Sequence, residues 1–137
     1  MVAYKEQTAW ENLVRQPGNP FTTAKVGCRV AFMAKEDIAE PTGAEMILWE
    51  RQEDGIVVGK QVFQGFRGSD ADLMLVADAE VLIDVCEEPS SDPIRKLRLG
   101  IREGTVLCYF LRTKRELIMM GYEEFVDALG LPLAGCQ

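Results

Sequence analysis

The chain has no histidine, and no other absence excludes as much chemistry. Histidine is the side chain whose ordinary pKa lies near neutrality, the usual general base and a common metal ligand. Without it, Ser–His–Asp and Cys–His nucleophilic catalysis are closed, as are the usual catalytic zinc sites. Long apolar runs are missing too. The longest, such as "LMLVA" at 73–77, are about five residues, against the roughly twenty that a membrane-spanning helix needs. "MVAYKEQTAWENLVRQ" is charged throughout and lacks an apolar h-region, unlike a signal peptide. These readings place the protein in the cytoplasm, with no membrane partner.

Cysteine is sparse and badly spaced for a site. Cys28, Cys86, Cys108 and Cys136 form no C-x-x-C pair, no zinc-ligand spacing and no dense disulfide framework. The first three sit among apolar strand-like residues, where a free thiol behaves as a small hydrophobe. "GFRGSDAD" at 65–72 places glycines near Arg67 and Ser69 but matches no phosphate-binding spacing. Asp70 and Asp72 lack the further ligands a divalent cation needs. No metal and no cofactor is expected. Linkers, repeats and low-complexity tracts are also lacking, so residues 1–137 read as a single domain.

What is present is the composition of a globular chain, 47% apolar and 27% charged. Trp10, Leu13 and Val14 share one face of a helix over 3–16, stopped by "PGNP" at 17–20. The period then changes to two: Ala24, Val26, Cys28, Val30, Phe32 and Ala34 alternate with polar residues as in a half-buried strand. "EDIAEPTGAE" reads as a loop, and 46–64 as a hairpin about a type I′ turn at Asp54-Gly55. "ADLMLVADAEVLIDVCEE" reads as two strands, although Ser69 and Asp72 could open a helix as a capping box. Residues 95–112 read as a hairpin about Glu103-Gly104, "RELIMM" as a last strand, and "GYEEFVDALGLP" as a terminal helix. The expected fold is α+β, mainly antiparallel β: about eight strands in a meander or open barrel, with an N-terminal and a C-terminal helix.

Charge is unevenly distributed. Residues 69–94 hold eight acids and no base, whereas 95–115 hold seven bases and one acid, in a chain of net charge −7. In the expected hairpin, Lys96, Arg98 and Arg102 form a comb, with Arg98 stacked against Tyr109. Acid facing base across a sheet is ordinary internal balance, and a net negative chain works against polyanion binding. No nucleic-acid partner is expected. Asp84 interrupts "VLIDVC" and reads as partly buried and paired.

The 46–64 hairpin is apolar on both faces. Trp49 is expected opposite Lys60 on one, and Met46 and Phe63 lie on the other, so something must cover each side. Trp49, Lys60, Met46, Phe63, Arg98 and Tyr109 are therefore the candidate ligand-binding residues, with no catalytic residue assigned. The leading reading is a non-catalytic binding module for a small apolar or amphipathic molecule. The alternative is a protein-interaction module, a homodimer or an acidic inhibitor or chaperone. The third is a histidine-free enzyme built on Asp84 with Tyr109 or Lys60.

Overall fold

Only the second half of the long alternating stretch is strand: residues 29–34 are extended and, from Val30 on, buried on both faces, whereas 24–28 lie outside any strand and Val26 is 58% exposed. The computed structural model of the chain describes residues 7–15, 18–39, 44–63, 65, 70–87 and 92–131. Its strands are β1 (Arg29–Ala34), β2 (Glu45–Gln52), β3 (Gly55–Val62), β4 (Leu73–Ala77) and β5 (Val106–Phe110). They form one sheet in the order β3-β2-β1-β4-β5. β1 and β4 run parallel, and every other neighbouring pair is antiparallel. The described sheet thus has five strands rather than eight, and it is mixed. The crossover that a parallel pair requires runs through the β2–β3 hairpin, which leaves β1 and returns to its other side at β4. β4 is buried along its whole length, which explains why "LMLVA" is a continuous apolar run rather than an alternating one.

Three expected strands are helices. Residues 79–87 form α3 (Ala79–Glu87), 93–103 form α4 (Pro93–Glu103), and "RELIMM" falls largely in α5 (Lys114–Met119). In α4, Asp92 caps the N-terminus by accepting from the Arg95 N–H at 3.2 Å, and Pro93 occupies the first turn. Gly104 closes it in the left-handed region at φ 87°. Ile94, Leu97 and Gly100 face inward while Leu99 is 40% exposed, so the spacing of 3.6 prevails over the spacing of two. Thr113 and Glu116 make a reciprocal capping box at the start of α5. A short α2 (Lys35–Ala39) also occupies part of the expected loop after β1.

The expected end helices are present as α1 (Gln7–Val14) and α6 (Glu123–Ala128), and a 3₁₀ turn covers Pro20–Thr23. Helical residues cover one sheet face, burying Trp10, Leu13, Phe21, Leu97, Phe125 and Val126 against Val30, Phe32, Trp49, Leu73, Leu75 and Val106. A smaller cluster of Ala31, Met33, Met46, Phe63, Met74 and Val76 occupies the opposite face. No helix among the described residues is long and apolar enough to cross a membrane.

Candidate functional site

The structure separates the six candidate residues. Trp49 is fully buried, with ring centroids 4.6 Å from Phe32, 5.9 Å from Phe21 and 6.1 Å from Trp10. Its indole N–H finds no acceptor among the described residues. Its cross-strand partner is Val58, while Lys60 pairs with Ile47 and is exposed. The turn lies one residue earlier than expected, with Gln52 paired to Gly55. Among the described residues, none other than glycine has positive φ, which rules out type I′ at Glu53-Asp54. Met46 and Phe63 are buried in the smaller cluster on the opposite face. Tyr109 lies on β5 opposite Met74, whereas Arg98 lies on α4, so the expected Arg98–Tyr109 cross-strand pair does not form.

Asp84, Tyr109 and Lys60 do not converge either. Lys60 and Tyr109 stand on opposite edge strands, four strand spacings of about 4.8 Å apart. Asp84 is exposed rather than partly buried, and its carboxylate meets Lys96 Nζ at 3.4 Å. That pair, with Arg112 Nε to Asp72 Oδ1 at 3.1 Å, joins the acidic and basic blocks. The balance runs between α3 and α4 and beside the β4–β5 pair, not through paired strands at 80–87 and 95–102.

Among the described residues, Asp72 is the one buried charged side chain, 4% exposed. Its Oδ2 accepts from the Tyr122 hydroxyl at 2.7 Å and from the Arg29 N–H at 3.0 Å. With Arg112 on Oδ1, both oxygens are occupied, as a buried carboxylate requires. Burial first, and then the hydrogen bond to Asp72, raises the Tyr122 phenol well above its ordinary value. Burial also raises the neighbouring Cys28 thiol, which donates to the Met120 carbonyl at 3.4 Å. These are protonated, inert groups that fasten α6 to the sheet. Asp72 and Tyr122 were not among the expected site residues; Asp72 was weighed only as a cation ligand with Asp70 or as part of a helix cap with Ser69. Arg67, Ser69 and Cys136 lie outside the described residues.

The helical form of 93–103 rearranges the comb. Lys96 turns toward α3, while Arg95, Arg98 and Arg102, at i, i+3 and i+7, line one wall of an open groove between α4 and α6. The groove has a volume of about 590 Å³, with Glu124 and Asp127 of α6 on its other wall and Ile94, Leu99 and Ala128 among its apolar lining. The ion pairs among the described residues fall on Arg29, Lys35, Lys96 and Arg112, not on these three arginines. Arg98 is the one expected binding residue that lines it. The missed signal was Arg95, visible as a member of the stripe only when Asp92-Pro93 is read as a helix start.

No family model matches the chain, and no curated protein matches it. Among solved structures, the apo form of sterol carrier protein 2 from Yarrowia lipolytica is similar at a TM-score of 0.34 and 14% identity, over 78% of this chain and 76% of that one. A score at that level does not define a shared fold.

Proposed function

We propose that the chain is a binding module for a small amphipathic molecule with an anionic head, seated in the groove between α4 and α6. The observation that carries this reading is the stripe of Arg95, Arg98 and Arg102 along a groove of about 590 Å³, within the size range of small-molecule sites. Guanidinium groups bind carboxylate and phosphate bidentately, and Leu99 and Ala128 offer apolar surface to the tail. Glu124 and Asp127 opposite restrict the anion to the arginine wall. Together with the net charge of −7, they disfavour extended polyanions.

Calorimetric titration with octanoate, octyl phosphate and octylammonium tests the proposal. The two anions should bind and octylammonium should not. Arg95→Gln/Arg98→Gln/Arg102→Gln should weaken anion binding at least about tenfold, since hydrogen bonds to charged groups contribute about 1.5–3 kcal/mol each. Equal binding of the ammonium, or anion binding untouched by the triple substitution, would remove the groove as the site.

A further inference from the structure

The groove between α4 and α6 is divided by sign of charge. Arg95, Arg98 and Arg102 stand on the α4 wall, and Glu124 and Asp127, at i and i+3, stand on the α6 wall. All five side chains are exposed. The groove's third acid, Asp92, is already committed, because its Oδ1 accepts from the Arg95 N–H at 3.2 Å as the cap of α4. Three cations therefore face two carboxylates.

The two walls do not neutralise each other. Among the described residues, ion pairs within 4.0 Å fall on Arg29, Lys35, Lys96 and Arg112, and none joins the three arginines to Glu124 or Asp127. The stem of Arg98 does reach α6: a β-carbon at Gly130 would lie 3.4 Å from its Cγ and Nε. Even so, its charge stays without a carboxylate. The space between the walls is about 590 Å³, with Ile94, Leu99 and Ala128 beside the charges.

An anion alone suits only half of this lining. It is drawn to the guanidinium wall and repelled by the carboxylates opposite, whereas a head carrying both signs is attracted by both. Resting on the binding reading proposed above, we infer that the head of the ligand is zwitterionic: an oxyanion on Arg95, Arg98 and Arg102 and, across a short spacer, an ammonium on Glu124 and Asp127. The spacer is needed because the walls stand farther apart than an ion pair. The arginines outnumber the carboxylates, so the oxyanion anchors the head and the ammonium selects it. A lone ammonium is turned away.

Calorimetric titration of the whole chain with a matched pair of ligands tests this. Octyl phosphoethanolamine and octyl 2-hydroxyethyl phosphate share tail, phosphodiester and spacer, and differ only in ammonium against hydroxyl. The ammonium ester should bind at least about threefold tighter, the gain expected of exposed ion pairs, and high salt should shrink that ratio. Glu124→Gln/Asp127→Asn should tighten the hydroxyl ester and bring the ratio to about one, as removal of the carboxylate charge requires. If the double variant folds poorly, Asp127→Asn alone should move the ratio the same way. Equal affinity of the wild-type chain for the two esters would overturn the zwitterionic head and leave the arginine groove standing. So would a preference that the folded acid variants keep. Binding of neither ester would overturn both readings.

Discussion

Gly100→Ala separates two effects of opposite sign. At an open helix position the substitution would stabilise by about 1 kcal/mol, through propensity alone. Here a β-carbon would lie 2.4 Å from Val106 Cγ2 and 3.2 Å from Val106 Cβ, against the roughly 3.5–4.0 Å of ordinary carbon contact. Val106 cannot give way easily: it is β-branched, 1% exposed and held on β5. Relief requires α4 to lift from the strand. Overpacking of this kind costs about 1–3 kcal/mol, and so close an approach belongs at or beyond the upper end. The net expectation is a loss of about 2 kcal/mol. At about 2 cal/mol/K of unfolding entropy per residue, that lowers Tm by about 7 °C for a chain of this length. Thermal and urea unfolding followed by circular dichroism measure it. Adding Val106→Ala should show a favourable coupling of about 1 kcal/mol, because the second truncation makes room for the first insertion. If Gly100→Ala instead stabilises the protein, α4 does not pack on β5 in this register.

Trp49→Ala should cost about 3–5 kcal/mol in urea unfolding and leave octanoate affinity unchanged in whatever fraction stays folded. Weakened binding by folded protein would return Trp49 to the site. Alkaline stability should fall in two stages. Burial pushes the Cys108 thiol up to about 12 and raises the Tyr122 phenol, whereas the unfolded chain ionises these groups near about 8.5 and 10. Both groups add stability that is complete below those unfolded values and is lost as pH climbs through them. The urea midpoint should therefore drop from about pH 8.5 and more steeply above about pH 10. Tyr122→Phe should flatten only the second stage while lowering neutral-pH stability by about 1.5–3 kcal/mol, through loss of a hydrogen bond to a charged group.

How much was legible depended on whether local pattern and tertiary setting agreed. α1, α6 and the β2–β3 hairpin carry a single period each, and they appear as expected apart from the turn. In 93–103, two periods compete. Leu97, Leu99 and Ile101 fit a strand, and Ile94, Leu97 and Ile101 fit a helix equally well. Only the cap residues Asp92, Pro93 and Gly104 decide it, and they lie outside the repeating pattern. Val81, Ile83 and Val85 have strand-like side chains, yet α3 forms because Leu82, Val85 and Cys86 reach the core together, so burial prevails over intrinsic preference. The parallel β1–β4 pair was illegible, because short local links bias any reading toward antiparallel neighbours. The groove inherited that difficulty: its arginine stripe exists only on a helix.

The carboxylate of Asp72 carries a further consequence, for the order in which the chain assembles. It bonds residues 43 and 50 positions away, while the β2–β3 hairpin and the capped helices close over a few residues. Closing longer loops costs more chain entropy before any contact repays it, so the grip on Arg29, Arg112 and Tyr122 belongs to the native side of the folding barrier. Interactions absent from the transition state govern how fast a protein comes apart, not how fast it forms. Asp72→Asn should therefore speed unfolding while leaving the refolding rate nearly unchanged, as stopped-flow mixing in urea would measure.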